Sequence, residues 1–146
     1  MLLRYFPVNF SGFEREFMQN VLDDPRAWDV DFEESKNEEE ADIIVYKTPG
    51  TVLNKMYPMD HLQNLSLTDR SRYPIVIHLR EENWNEGRGG YTNVYAYRIY
   101  LILHEFGHAI GYGHVNCPGK GMPAPVMMQQ TKGTGECYPE PWVKKF

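Results

Sequence analysis

One eleven-residue stretch, HEFGHAIGYGH, constrains the fold of this chain more than any other feature of its sequence. It begins at His104, and a second histidine, His108, follows four residues later, which on an α-helix is about one turn away on the same face. Two imidazoles placed in this way can bind a single metal ion. The spacing therefore predicts that a helix runs through the first half of the stretch.

The second half of the stretch predicts that this helix ends abruptly. A third ligand in tetrahedral geometry cannot come from the next helical turn, so the chain must bend back toward the metal after His108. Gly111 can adopt the left-handed conformation that ends a helix at low cost, and His114 then returns to the site. Three neutral imidazoles with an open fourth position predict a catalytic zinc (Zn2+) site.

Glu105 directly follows the first ligand and is predicted to lie beside the metal, not on it. A carboxylate in that place is suited to act as general base toward a water that the zinc activates. Three of the chain's five histidines fall within this one stretch. The other two, His61 and His78, are predicted to have no role in metal binding.

Patterns elsewhere predict a small α+β domain (an α/β-type sandwich). Ser11 and Glu14 have the spacing of a capping box for a helix over about residues 12–22. Asn93 is suited to cap a second helix that runs from there to about Ile110. Short alternating or β-branched runs predict strands at 28–32, 43–46 and 75–77.

Composition excludes some classes of partner. The 146 residues carry a formal net charge of −5, which argues against a nucleic-acid partner. The longest apolar runs have four or five residues, far below the roughly 20 that a membrane-spanning helix needs. We expect no signal peptide at the N-terminus, because it contains no sufficiently long apolar stretch. Localisation and oligomeric state stay open.

The length predicts one domain over residues 1–146. Residues 1–114 are expected to form a subdomain with the sheet and the zinc helix. Residues 115–146 are rich in proline and glycine and are expected to form an irregular C-terminal subdomain. The acidic run at 38–40 is predicted to be a solvated turn.

The two cysteines, Cys117 and Cys137, are too few for a disulfide framework. From the residues alone, they either pair in an oxidising compartment or remain thiols in a reducing one. The cysteine count does not decide the compartment.

The histidine stretch resembles, at every fixed position, the zinc-binding motif of the metzincin clan of zinc endopeptidases. The resemblance implies a methionine-bearing turn below the metal, and Pro125-Val126-Met127-Met128 is similar to that turn, with Met127 as the expected methionine and Met128 as the alternative. It also implies a minimal metzincin-like fold, with a short mixed sheet, two main helices and the irregular C-terminal subdomain. The implied activity is zinc-dependent hydrolysis of an extended peptide or protein substrate.

The clan resemblance carries two further expectations. Substrates of the clan lie extended along an exposed sheet edge above the zinc helix, and residues 75–84 are expected to provide that edge. Some members of the clan add a tyrosine after the methionine turn as an oxyanion donor. The only tyrosine after Met128 in this chain is Tyr138, which makes it the candidate for that role.

A closer resemblance covers residues 24–142 and is to an uncharacterised actinobacterial family, a domain of unknown function with a predicted metzincin-like protease fold. The segments that carry it are 24–28, 41–42, 97–98, the histidine stretch, 117–119, 123–127 and 137–142. Its members are typically exported and have further cysteines upstream, which this chain lacks, so their localisation is not carried over. The resemblance implies a disulfide between Cys117 and Cys137 if the protein is exported and a thiol pair if it is not. The rival is a spare thiol at Cys117 near the zinc.

Three functions remain compatible with these residues. The first is a zinc-dependent endopeptidase in which Glu105 serves as general base and then as general acid. The second is a zinc-stabilised domain that serves binding or assembly with little or no turnover. The third is a non-proteolytic hydrolase that uses the same zinc-activated water.

Overall fold

The computed structural model describes residues 1–144, and within them the chain forms five β-strands and four α-helices. The strands are β1 (Leu2–Val8), β2 (Asp31–Glu34), β3 (Ile43–Thr48), β4 (Leu67–Asp69) and β5 (Ile75–Arg80). The helices are α1 (Gly12–Asp23), α2 (Gly50–Met56), α3 (Glu81–Glu86) and α4 (Val94–Ala109). Single turns of 3-10 helix lie at 38–40, 60–62 and 130–132. This is the α+β arrangement that the sequence predicts.

The five strands form one mixed sheet in the order β2-β1-β3-β5-β4. Four of them run parallel, and only β4 runs antiparallel to its neighbour, pairing Thr68 with Ile77 of β5. The central strand β3 begins with three buried residues, Ile43, Ile44 and Val45. A continuous buried run of this kind is typical of a parallel strand covered on both faces.

The strand at the edge of the sheet is not the one that the sequence analysis expected. Residues 75–84 were expected at an exposed edge, but β5 lies inside the sheet, between β3 and β4. Residues 81–86 leave the sheet as helix α3. The edge strands are β2 and β4, and the one that contacts helix α4 is β4. It is only three residues long and therefore too short to show an alternating pattern.

Helix α1 begins where its capping box predicts. The Glu14 backbone N–H donates to Ser11 Oγ over 3.1 Å, and the Ser11 N–H donates to Glu14 Oε1 over 2.9 Å. The Glu14 carboxylate also accepts hydrogen bonds from Lys47 Nζ and from Trp84 Nε1. The cap thus ties α1 to strand β3 and to helix α3.

A strand predicted at residues 28–32 is only partly present, since β2 begins at Asp31. Trp28 instead packs against α4, where its Nε1 donates to the Leu103 carbonyl over 2.8 Å and its ring stacks on Tyr112. The packing of the partly buried indole against α4 therefore outweighs the local alternating pattern. The acidic run at 38–40 is an exposed single turn, as predicted.

Helix α4 lies at the centre of the domain. It begins after Asn93, whose Oδ1 accepts from the N–H groups of Tyr95 and Ala96. From Tyr100 to Gly107 every residue is buried, so the helix is covered on all sides and not only on one face. The sheet side of the core includes edge-to-face contacts of Phe106 with two other rings, those of Tyr5 and Phe32.

As far as residue 144, the chain after His114 is irregular, as predicted, with one 3-10 turn and one isolated bridge between Pro123 and Tyr138. The last two residues of the predicted subdomain 115–146 lie outside the described residues. Cys117 and Cys137 form a disulfide, with their Cα atoms 5.9 Å apart. Among the described residues, there is no helix with the length and apolarity needed to cross a membrane.

Candidate metal centre

Helix α4 and the loop after it bring three histidines together. His104 and His108 lie one turn apart on α4, and their ring centroids are 4.8 Å apart. His114 follows the helix, and its ring centroid lies 4.7 Å from that of His108 and 5.4 Å from that of His104. One ligand atom from each histidine lies within 4.8 Å of the others, so the three side chains can hold a metal ion.

The bend that returns His114 to the site is a Schellman motif. Gly111 has φ +106°, a backbone conformation that residues other than glycine rarely adopt. Its N–H donates to the His108 carbonyl over 3.0 Å, and the Tyr112 N–H donates to the Gly107 carbonyl over 2.9 Å. These two bonds satisfy carbonyls that the end of the helix leaves free. Gly111 thus ends the helix and turns the chain back toward the histidines, as the spacing of the stretch predicts.

Backbone carbonyls fix the orientation of two of the rings. His104 Nδ1 lies 2.7 Å from the Val126 carbonyl oxygen, and His108 Nδ1 lies 2.9 Å from that of Tyr112. Because a carbonyl oxygen only accepts hydrogen bonds, each Nδ1 must carry the proton. In the neutral rings Nε2 is then an unprotonated acceptor, which is the form that binds a metal.

The contact between His108 and His114 shows why a cation fits between them. Their Nε2 atoms are 3.0 Å apart. Since His108 Nε2 carries a lone pair, this distance fits either a hydrogen bond donated by His114 Nε2 or a metal ion bound by both nitrogens. Metal binding would replace the proton of that hydrogen bond, so the donor set fits a cation that takes neutral imidazoles.

The turn at Pro125–Met128 lies directly under this cluster. The Met128 N–H donates to the Pro125 carbonyl over 3.0 Å, and the Val115 N–H donates to the Met127 carbonyl over 3.1 Å. Met127 is buried, and its Sδ would lie 2.6 Å from a Cβ built on Gly107. Met127 rather than Met128 is therefore the methionine that packs beneath the helix between the two histidines.

Glu105 lies on α4 next to His104 and is 4% exposed. Its Oε1 accepts a hydrogen bond of 2.8 Å from Thr68 Oγ1 on the edge strand β4. Burial raises the pKa of the Glu105 carboxyl to about 7, although the bond from Thr68 opposes that rise. A carboxyl group with a pKa near neutrality can both accept and return a proton at neutral pH.

Burial also sets the pKa values of the histidines. It lowers the pKa of His104 to about 3, and the neighbouring imidazoles lower it further while the bond to Val126 opposes the shift. The pKa values of His108 and His114 are lowered as well, again mainly by burial. All three rings are therefore held in the neutral, metal-binding form near neutral pH.

A cleft of about 620 Å³ opens over the histidines and Glu105. One wall is formed by β4 and its flanks, and the other by the segment after the methionine turn. The lining residues outside the histidine stretch are His61, Leu62, Leu65, Ser66, Leu67, Thr68, Arg70, Tyr100, Gln129, Thr131 and Lys132. The histidine cluster thus lies in a depression that is large enough for part of a peptide.

Other candidate residues are not part of the histidine cluster. Tyr138, the candidate oxyanion donor, is 51% exposed and is not among the residues that line the cleft. His78 is buried within the sheet, where its Nδ1 lies 2.8 Å from Thr48 Oγ1. His61 lines the cleft but does not join the cluster of possible ligands. The sulfur of Cys117 is held in the disulfide, which excludes a spare thiol there.

Two residues that the sequence analysis missed support the site. Gly107 lies in α4 between the two histidine ligands, and a Cβ there would meet Met127 Sδ at 2.6 Å and Trp28 Cζ2 at 2.7 Å. A glycine within a helical pattern is the signal that a close approach was needed. Thr68 has no such signal, because it is 37 residues from the carboxylate that it binds.

Comparison with known protein families gives a match over most of the chain. The sequence model of a family described as "Protein of unknown function (DUF3152)" matches residues 10–138. No curated protein matches the chain. The match covers strands β2 to β5, the histidine stretch and most of the C-terminal segment, and strand β1 precedes it.

Proposed function

The chain belongs to the DUF3152 family, whose description leaves its function open, and we propose that it is a zinc-dependent endopeptidase. One observation carries the proposal: three convergent imidazoles and a buried carboxylate lie at the floor of the same open cleft. A structural zinc site normally closes all four positions with protein ligands. Here the cluster has three histidines, which leaves a position for water or substrate.

The donor set favours zinc among the common metals. His104, His108 and His114 would hold it through imidazole nitrogens, which suit zinc, whereas magnesium and calcium prefer oxygen ligands. The bonds from Nδ1 of His104 and His108 to backbone carbonyls give these ligands the outer support that zinc sites usually have. The resemblance of the histidine stretch and of the turn below it to the metzincin clan supports the same assignment.

Glu105 is proposed to move the protons of the reaction. When bound, zinc supplies Lewis-acid chemistry, because it lowers the pKa of a water molecule toward about 7 and polarises a carbonyl oxygen. Glu105 accepts the proton of the attacking water and then donates it to the leaving amine. Thr68 holds one carboxylate oxygen of Glu105 through its hydroxyl group, which leaves the other oxygen for the water.

The substrate is proposed to be an extended peptide along β4. Among residues 1–144 this strand pairs only with β5, so its other side has backbone groups that a peptide can use as a further strand partner. Leu67 and Thr68 of β4 also line the cleft. A peptide added at this edge would therefore pass over the histidine cluster.

The test combines metal analysis with a matched pair of variants. Purified protein is expected to contain about one zinc per chain, and a peptide-library cleavage assay is expected to yield products that a chelator abolishes. Glu105→Gln should keep the zinc and lose at least about 100-fold in activity, as expected for removal of a general base. Glu39→Gln, an exposed carboxylate in the 38–40 turn, is the control and should behave as wild type.

Each alternative gives a different result. Zinc binding without cleavage by the wild-type protein would favour a binding or assembly domain and overturn the peptidase proposal. Hydrolysis of small esters or acyl-amines, with peptides left intact, would favour a non-proteolytic hydrolase. Equal cleavage by wild type and Glu105→Gln would overturn the catalytic role of Glu105 and leave only the zinc site.

A further inference from the structure

Charge is distributed unevenly between the cleft and the rest of the protein. The chain as a whole has a formal net charge of −5. Among the described residues that line the cleft, however, there are two lysine or arginine side chains, Arg70 and Lys132, and one carboxylate, Glu105. Glu105 is almost fully buried, whereas both cations are exposed. The cleft is therefore a basic depression in an acidic protein.

The two cations come from separate segments beside the metal cluster. Arg70 directly follows β4, and its Nη1 lies 4.0 Å from a Cβ built on Gly111 at the end of the zinc helix. Lys132 is the last residue of the 3-10 turn that follows the methionine turn. A peptide that lies between the two walls of the cleft would have Arg70 on one side and Lys132 on the other.

Within residues 1–144, neither cation forms an ion pair or a side-chain hydrogen bond. The carboxylate next to Arg70, that of Asp69, instead accepts hydrogen bonds from Tyr57 and Ser71. Other basic side chains of the protein do have acidic partners, as Lys47 does in Glu14. The cations of the cleft are thus left available for a ligand.

We propose that the cleft selects peptides with an aspartate or glutamate close to the bond to be cut, and that Arg70 and Lys132 are the specificity-determining residues. The proposal rests on the proposed function for the position of the peptide. Both positive charges would attract a carboxylate on the substrate and would repel a lysine or arginine. Charges at an exposed rim act mainly through the association rate and the discrimination between partners.

The test measures binding without turnover. Zinc-loaded Glu105→Gln protein is titrated into fluorescent peptides that are acetylated and amidated at their ends and that differ only in Glu, Gln or Lys beside the central bond. The Glu peptide is expected to bind about tenfold more tightly than the Gln peptide at low salt, and the Lys peptide most weakly. This preference should shrink as the salt concentration rises, because exposed charges are screened.

Matched variants connect the preference to the two residues. In the same background, Arg70→Gln and Lys132→Gln should each reduce the preference for Glu over Gln by about two- to fivefold, the range of exposed charge pairs. Lys36→Gln removes the same charge from the segment after β2, at the opposite edge of the sheet from β4, and should leave the preference unchanged. Arg70→Glu should move the preference toward the Lys peptide.

Equal binding of the Glu and Gln peptides at low salt would overturn the proposal. So would a loss on Lys36→Gln as large as that on Arg70→Gln. The endopeptidase proposal fails separately, if wild-type protein with the charge preference cleaves none of the three peptides. If the three peptides bound equally and were cleaved at equal rates, the endopeptidase proposal would stand and the proposed preference for acidic residues would be wrong.

Discussion

A methyl group added at Gly107 is the smallest change that tests how the site is built. This glycine lies inside helix α4, between the two helical ligands. In an exposed helix interior, Gly→Ala stabilises by about 1 kcal/mol, because alanine loses less backbone entropy. At Gly107 the new Cβ would lie 2.6 Å from Met127 Sδ and 2.7 Å from Trp28 Cζ2. Ordinary contacts of this kind are about 3.5–4 Å, so both neighbours would have to move by roughly 1 Å.

Those neighbours are held in place by other contacts. Trp28 is anchored by its bond to the Leu103 carbonyl, and Met127 by the bond that its carbonyl accepts from Val115. Overpacking against constrained neighbours costs about 1–3 kcal/mol. Because two contacts are violated at once, we expect a cost near 3 kcal/mol and, after the gain in helix propensity, a net loss of about 2 kcal/mol. At roughly 2–4 °C per kcal/mol for a chain of this size, Tm should fall by about 4–8 °C.

Zinc affinity supplies a second measure of the same variant. Val126, whose carbonyl holds His104, precedes Met127, so a displaced Met127 also disturbs a ligand. Loss of such outer support typically lowers metal affinity by about 10- to 100-fold. Tm is measured by circular dichroism with zinc and with a chelator, and the zinc dissociation constant by competition with a chromophoric chelator.

A helical glycine elsewhere provides the control. A Cβ on Gly12, at the start of α1, would meet no atom within 4 Å. Gly12→Ala should therefore leave zinc affinity unchanged and should keep or slightly raise Tm. If Gly107→Ala raises Tm as Gly12→Ala does and binds zinc like wild type, the account of close packing under the site is wrong.

Three further perturbations have definite expected outcomes. His108→Ala should remove most zinc binding. Because metal binding contributes to folding, it should also abolish the difference between the Tm with zinc and the Tm with a chelator. If zinc raised the Tm of this variant as much as that of the wild type, the assignment of His108 as a ligand would be wrong. For the metal-free protein, the folded pKa of His104 is about 3 and the unfolded value near 6.5, so the stability that this ring contributes falls as pH drops below 6.5, whereas the raised pKa of Glu105 acts in the opposite direction. Comparison with His104→Gln isolates the ring: between pH 7 and pH 5 the wild type should lose about 2 kcal/mol more than this variant in urea unfolding, and equal changes in the two proteins would contradict the burial of His104. Removing the disulfide, with a sequence separation of 20, by replacing both cysteines with serine should cost about 3 kcal/mol in the same assay, and a loss below about 1 kcal/mol would contradict the loop-entropy argument.

Features fixed by local geometry were the ones that the sequence predicted well. Helix α1 was placed correctly at its start because Ser11 and Glu14 form a reciprocal cap within three residues. The approach of His104 and His108 follows from helical spacing alone, and the bend at Gly111 from the conformations open to glycine. None of these features depends on a distant part of the chain.

Features that depend on distant partners were missed. Strand β1 contains Pro7, which argues against a strand inside a sheet, yet β1 pairs with both β2 and β3. Strand β4 has three residues and owes its place to pairing with β5. Thr68 approaches Glu105 across 37 residues, a contact that no local pattern encodes. The sheet edge was therefore assigned to the wrong residues.

The irregular C-terminal segment is what orients the helical ligands. Its turn supplies the Val126 carbonyl to His104, and the turn itself is held by Gln130, which is fully buried. Gln130 Nε2 donates to the Pro125 carbonyl over 3.0 Å, and Gln130 Oε1 accepts from Tyr91 over 2.7 Å. Tyr100, one turn before His104 on α4, accepts from the Gln130 N–H and donates to the Met128 carbonyl. A segment with little regular secondary structure thus satisfies part of its backbone through buried side chains. Helix spacing brings the histidines near one another but does not orient their rings. The His104 ring depends on the Val126 carbonyl for its metal-binding form, so the histidine stretch needs this C-terminal segment to form the site.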